Sequence, residues 1–192
     1  SERRRARIEE AAARRQPDLT VVIENVHDPH NVSAILRSCD AVGVNEVQLV
    51  YTNEVFPKLG KKSSASALKW VGRRRFSSIG DCYGVLRKEG FAIYATQLEN
   101  SARSLYDVDL VPPTAVVVGN EHRGVSAEAA EQADGIIQIP MVGMIRSLNV
   151  SVACAVILFE AMRQRQAAGR YRVPRFPPAQ LRMLMEQWTR KR

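Results

Sequence analysis

Three short segments hold most of the side chains able to do chemistry: ENVHDPHN (24–31), GNEHRGVS (119–126) and IPMVGMIRSLN (139–149). They contain Asn25, His27, His30, Asn31, Asn120, Glu121, His122, Arg146, Ser147 and Asn149, and Arg37 lies just beyond the first. Amides and carboxylates orient groups by accepting and donating hydrogen bonds, and arginine holds oxyanions with a rigid fork. Ser147 as a nucleophile needs an adjacent base. A histidine from another loop could serve, but a helix cap is the plainer role. His27 and His30, with His122 as a third, could ligate a metal. Zinc needs a further cysteine or carboxylate at suitable spacing, so no metal is expected.

What is missing narrows the chemistry further. No GxGxxG follows the first apolar stretch, so the usual dinucleotide fingerprint is absent, and the same absence counts against the common glycine-loop methyltransferase fold. No GxxxxGK[ST] is present, because Gly60-Lys61 lacks both the earlier glycine and the following Ser or Thr. No GxSxG nucleophile elbow occurs.

The elements that must position these loops alternate. TVVIE (20–24), EVQLVY, FAIYAT, TAVVVG (114–119) and GIIQIP read as strands, and WVGRRRF as a short one. VSAILRSCDAV reads as a helix with Asn31 or Ser33 as its cap and Gly43 as its stop. Ser78 and Asp81 resemble a capping box for a helix that stops at Gly90, and Ser126 caps AEAAEQAD. Residues 52–67 read as a Lys- and Ser-rich loop. Strand and helix in alternation predict an α/β fold, a mostly parallel sheet with helices on both faces. Each of the three polar loops follows a strand and precedes a helix, so all three fall on the carboxyl edge of the sheet, where such folds bind ligands.

The ends are basic. Residues 1–15 read as an arginine-rich helix closed by Pro17 and Asp18. RYRVPRFPP (170–178) is a proline-broken linker, and residues 179–192 form a last helix with Leu181, Leu184, Met185 and Trp188 at helical spacing. We expect three parts: a helical extension at 1–19, a catalytic domain at 20–168, and a linker and helix at 169–192. The 192 residues carry a formal charge of +8 and 28 basic side chains, of which all but six are arginine. Arginine in such excess points to phosphate and hence to nucleic acid. Cys39, Cys82 and Cys154 are too few and too scattered for a disulfide framework, which fits a cytoplasmic protein. The apolar run at 152–159 is far short of a membrane span.

Taken together, NVSAILRSCDAVGV, GNEHRGVS and IPMVGMIRSLNVSVACAVILFE resemble the three motifs of the SPOUT class of RNA methyltransferases, most closely the TrmH-type tRNA guanosine 2′-O-methyltransferases. The resemblance spans about residues 20–163. It implies a deep trefoil knot at the C-terminal end of the domain, S-adenosylmethionine bent within that knot, and a homodimer in which both subunits build each site. It implies no separate N-terminal substrate domain. Backbone groups around Thr96, Leu98, Gly119, Asn120, Gly124, Ile139, Met141, Met144, Ser147 and Leu148, together with Glu121, would hold the cofactor. The substrate would be tRNA, methylated at the D-loop guanosine of position 18.

The reaction so implied is attack of a ribose 2′-hydroxyl on a sulfonium methyl group. The resemblance places Arg37 at that hydroxyl, with Asn31, Glu121, Ser147 and Asn149 around it. A guanidinium stays charged, with a pKa above ~12. Arg37 is therefore expected to hold the developing alkoxide and a neighbouring phosphate. Glu121 is expected to orient Arg37 through a forked ion pair. Arg4, Arg7, Arg15, His30, Arg163, Arg165 and Arg172 are the expected RNA contacts.

Overall fold

The computed structural model describes residues 1–59 and 67–191. The centre of the Lys- and Ser-rich segment and Arg192 lie outside the described residues. Among the described residues seven strands form one sheet: β1 (Leu19–Glu24), β2 (Glu46–Val50), β3 (Gly72–Phe76), β4 (Ala92–Thr96), β5 (Arg103–Ser104), β6 (Thr114–Val118) and β7 (Gly135–Gln138). Their order is β3-β2-β1-β6-β4-β7-β5, and every pairing is parallel. The expected parallel α/β architecture is therefore present. All carboxyl ends share one edge, and the three polar loops meet there.

Two-residue periodicity splits each central strand between two cores. Val21, Ile23, Val116 and Val118 face one side, where α2 (Pro29–Val42) and α6 (Val150–Ala167) cover them. Val22, Ala115 and Val117 face the other, under α4 (Ile79–Lys88) and α5 (Ala127–Glu131). The helices present matching stripes: Val32, Ile35, Leu36, Cys39 and Val42 on α2, and Cys154, Ile157, Leu158 and Ala161 on α6. Burial of both strand faces explains why these strands read as unbroken apolar runs.

Capping follows the local chemistry with two corrections: α6 is capped by Asn149, not by Ser147, and the start of α2 is shifted. α2 begins two residues before Asn31, because the Asp28 carboxylate accepts from the His30 N–H at 2.8 Å and Pro29 fills the first turn. Asn31 and Ser33 are thus inside the helix. Gly43 ends it with φ of 87°. Ser78 caps α4 and Ser126 caps α5 as expected. The four-residue α3 (Ala67–Trp70) and the two-residue β5 had no periodic signal to announce them.

The terminal helices α1 (Glu2–Ala13) and α7 (Pro178–Arg190) pack on each other. Ile8, Ala12 and Trp188 are buried there, with Leu181, Leu184 and Met185 beside them. The apolar stripe of the last helix is therefore covered by this chain's own first helix. Trp70 meets Trp188 edge-on at 5.3 Å.

Two arginines expected to touch RNA are instead structural. Arg15 is 2% exposed; its guanidinium pairs with Asp40, donates to the Val44 carbonyl at 2.8 Å and stacks on Trp188. Arg165 is fully buried and donates to Asp18 Oδ1 at 2.6 Å and to the carbonyls of Leu110, Asp18 and Pro112. Partners of this kind offset the cost of taking a guanidinium out of water, although Arg15 Nε itself is buried without one. Burial pushes the Asp18 carboxyl up, but Arg165 and Arg175 beside it outweigh that and hold its pKa below the usual value. This buried cluster of charge ties the end of α6 to the start of β1. Arg163, two residues earlier, is exposed and among the described residues pairs only with Glu160.

The contrast is testable. Arg165→Ala leaves Asp18 with Arg175 alone, strips three carbonyls of their donor, and should cost about 3–5 kcal/mol. Arg163→Ala should cost under about 1 kcal/mol. Urea denaturation of both variants measures the difference; equal midpoints would remove the structural role given to Arg165.

Candidate functional site

A cleft of about 390 Å³ opens at the carboxyl edge between β4, β6, β7 and the start of α6. Three chain segments wall it. Thr96 and Leu98 follow β4; Gly119, Asn120, Glu121 and Gly124 follow β6; Ile139, Met141, Ser147 and Leu148 follow β7. Val118, Ile137, Ala153 and Ile157 give it an apolar floor. All but one of the expected cofactor positions come together here. The exception is Met144, which is 98% exposed and lies outside the cleft. Gln97, His122, Arg123 and Arg146 also line it. No distinctive spacing marked Gln97 beforehand, whereas the other three lay within loops already singled out.

Glycine at 119 is demanded by the loop itself. Asn120 and Gly124 exchange backbone hydrogen bonds of 3.0 and 2.8 Å, so the loop turns back on itself. A Cβ at 119 would lie 2.2 Å from the carbonyl carbon and oxygen of Gly124. The Asn120 side chain braces this turn by accepting the N–H groups of His122 and Arg123 and donating to the Asn25 carbonyl at 2.9 Å. Gly143, by contrast, has open space around it.

Glu121 joins the loops. Its Oε1 accepts from the Asp28 N–H at 2.9 Å and from Asn31 Nδ2 at 3.0 Å, and its Oε2 accepts from the His27 N–H at 3.0 Å. Asn31 Oδ1 accepts in turn from Asn149 Nδ2 at 3.0 Å. Asn149 then caps α6, its Oδ1 accepting from Ser151 N at 2.8 Å and Val152 N at 3.4 Å. One line of hydrogen bonds thus runs from the β6 loop through the start of α2 to the start of α6. Burial pushes the Glu121 carboxyl up, but the donors Asn31, His27 and Asp28 outweigh it and hold the pKa below the usual value.

The fork expected between Glu121 and Arg37 is not formed, because the oxygens of Glu121 are taken up by these other donors. Arg37 lies on the exposed face of α2 that also carries His30, and its guanidinium has no hydrogen bond or ion pair among the described residues. It does not line the cleft. Ser147 does, and it is exposed.

Asn25 had a larger role than its loop position suggested. Its φ of 51° is the only positive value outside glycine among the described residues. Its Oδ1 accepts from the N–H groups of Thr52, Asn53 and Glu54 at 2.9, 3.1 and 3.2 Å. It thereby fastens the loop after β2 to the end of β1. Asparagine tolerates this conformation because its short amide can bond locally.

Among the described residues no cluster of three or more His, Cys, Asp or Glu is placed to hold a metal, and no helix is long and apolar enough to cross a membrane. The mixed lining suits a flat heterocycle with a polar chain, and the volume lies in the range of small-molecule sites, roughly 300–1,000 Å³.

Glu121→Gln removes the charge that draws three donors together. Its folded pKa lies below the ordinary 4.5, so its contribution is complete above pH 4.5 and is lost as pH falls through the lower folded value. The variant should therefore lose about 1–2 kcal/mol at neutral pH and should show a shallower acid limb below pH 4.5. Denaturant titrations across pH check this, and parallel acid limbs would contradict it. Gly119→Ala should abolish ligand binding in the cleft, since its Cβ has no space; calorimetry with S-adenosylhomocysteine is the measurement.

The comparisons with known proteins agree with this geometry. The profile of the SpoU rRNA Methylase family matches residues 18–159. A tRNA (guanosine(18)-2′-O)-methyltransferase of Thermus thermophilus is 52% identical over 191 residues, covering 100% of this chain and 98% of that protein. The crystal structure of the Aquifex aeolicus TrmH/SpoU tRNA modifying enzyme superposes with a TM-score of 0.91 at 39% identity, over 97% of this chain and 95% of that one. The SpoU methyltransferase AviRb from Streptomyces viridochromogenes, solved in complex with its cofactor AdoMet, has a TM-score of 0.69 at 27% identity, over 81% of this chain and 62% of that one. With its three loops gathered on one edge and the family profile matched across most of its length, the chain belongs to the SpoU methylase family.

Proposed function

We infer that the protein is an S-adenosylmethionine-dependent tRNA methyltransferase that modifies the ribose 2′-hydroxyl of the D-loop guanosine at position 18. The observation that carries this is the near full-length identity to a tRNA (guanosine(18)-2′-O)-methyltransferase together with the intact line Glu121–Asn31–Asn149 beside the cleft. The cofactor, when bound, supplies a methyl group on a good leaving group, so the protein's task is to place and deprotonate the attacking hydroxyl.

The residues present fit that cofactor. Strand-end backbone at Thr96, Gly119, Ile139 and Leu148 can meet an adenine edge and ribose, while Ile137 and Ile157 supply the apolar floor. Asn31 and Asn149 are held by each other and by Glu121, so they act as fixed supports. Ser147 lies on the segment that Asn149 anchors. Arg37, exposed and without a partner among the described residues, is free to receive the alkoxide and an adjacent phosphate. Water or that phosphate takes the proton.

Arg37 stands outside the cleft of its own chain, which favours a site completed by a second copy. Exposed apolar side chains support a homodimer: Val142, Met144 and Ile145 on the loop, and Val152 and Phe159 two turns apart on one face of α6. The trefoil knot is proposed for the segment after β7, since α6 returns across the sheet to pack on α2. We retain the division at 1–19, 20–168 and 169–192. Arg4, Arg7, His30, Arg163 and Arg172 remain the proposed RNA contacts; all five side chains are exposed. The three free, buried cysteines suit the cytoplasm, where such a substrate is found.

Incubation of unmodified tRNA transcripts with labelled S-adenosylmethionine, followed by mapping of the methylated nucleotide, tests the reading. Label at the guanosine of position 18 is expected; no label on tRNA, with label on ribosomal RNA offered in a parallel incubation, would replace it. Arg37→Lys should slow single-turnover methylation by about 10²-fold or more while cofactor affinity stays close to that of the parent. Near-normal turnover in the Lys variant would remove Arg37 as the alkoxide partner.

A further inference from the structure

Two arginines take no part in anything described above. β3 is one edge of the sheet, and Arg74 at its centre turns toward Gln48 and Glu89, which take its guanidinium. Alternation along the strand sends Arg73 and Arg75 to the opposite face. Both are exposed, and neither has a carboxylate partner among the described residues.

Each is nonetheless tied to a different part of the molecule. The Arg75 guanidinium lies 5.0 Å from the Phe56 ring centroid. Phe56 meets Tyr51 edge-on at 5.2 Å, and the Tyr51 hydroxyl donates to the Val26 carbonyl at 2.8 Å, in the loop that follows β1. Arg75 is thereby moored to the methyl-transfer edge. Arg73 lies one step back along β3, toward the terminal helices. Burial, and next the charge of Arg73, lower the pKa of Lys191. The Lys191 ammonium donates to the Lys69 carbonyl at 2.6 Å, while its own carbonyl accepts from Arg4. A line of cations therefore runs from Arg75 through Arg73 and Lys191 to Arg4, and no described carboxylate pairs with any of them.

Their spacing has a physical meaning. Arg73 and Arg75 are separated by about 6.6 Å of strand. The end of β3 stands about 10 Å from the end of β1 across two strand spacings. Like charges gathered without counter-ions raise the local potential and draw a polyanion. Guanidiniums suit its phosphates because they offer forked donors and shed water readily. The competing explanation is that a charged edge strand discourages pairing with another sheet. That explanation accounts for the charge at Arg73 and Arg75 but not for its continuation through Lys191 and Arg4 onto the terminal helices.

We propose that the β3 edge is a phosphate track: Arg75, Arg73 and Lys191 hold the backbone of the substrate RNA between the methylated nucleotide and the portion gripped by the terminal helices. The proposal rests on the RNA methyltransferase reading. The track carries no base information, because contacts to phosphate fix position and register without reading sequence. It spans the two regions of the protein already proposed to touch RNA.

The experiment is a salt titration of tRNA binding by the full chain and its Arg73→Gln/Arg75→Gln double variant, with steady-state kinetics alongside. The slope of log affinity against log salt should fall by about two units. KM for tRNA should rise about tenfold or more at 0.15 M salt, with kcat and S-adenosylhomocysteine affinity unchanged. Arg73→Lys/Arg75→Lys should restore most of the slope, since the charge is kept. An unchanged slope, with or without aggregation of the Gln variant, would assign the arginines to edge protection and overturn the track. A loss of cofactor affinity or of melting temperature would place them in the fold and overturn it equally. In every case methylation by the parent chain reports on the enzyme reading separately.

Discussion

The site depends on one carboxylate holding backbone that belongs to another loop. Glu121 sits at the end of β6, yet its oxygens serve the N–H groups of His27 and Asp28 after β1 and the amide of Asn31. N–H groups before the first turn of a helix have no partner within it. Without an acceptor they would turn to water and the loop would lose its register. With Glu121 in place, Asn31 is aimed so that its other end meets Asn149, and α6 starts where the cleft needs a wall. Parallel strand order is what makes this possible: β1 and β6 are neighbours, so their carboxyl ends lie one strand spacing apart.

The architecture was legible because both faces of the central strands are buried. Runs such as TVVIE and TAVVVG could hardly be anything but inner strands, and the helices between them carried caps that proved right at Ser78 and Ser126. The α2 cap was misplaced because Asp28 precedes a proline and so resembles loop rather than helix start. β5 is two residues long and cannot show a period.

The site was legible as a set of loops, less so as a set of pairs. Backbone lining at Thr96, Gly119, Ile139 and Leu148 came with the motif resemblance. The partner of Glu121 did not, because a carboxylate in a loop invites an arginine on paper, and backbone N–H groups leave no trace in a sequence. Arg15 and Arg165 show the same limit in reverse. Sequence counts an arginine as surface charge, and only the arrangement of carbonyls around it reveals a buried brace. Asn25 belongs here too, since its φ of 51° is a property of the folded turn.

The segment between β7 and α6 is held at both ends, by strand pairing up to Gln138 and by the Asn149 cap. Its span is therefore set before any ligand arrives, and the entropy of closing it is a cost already met in folding. A ligand has only the intervening dihedral angles left to order. Affinity for the cleft thus becomes sensitive to the freedom of residues that lie outside it and are exposed on their own chain, Val142 and Met144 among them. A residue there that narrows the unliganded ensemble without opposing the bound conformation tightens binding from a distance. This exposed stretch of chain is one through which binding strength can be adjusted without altering the chemistry.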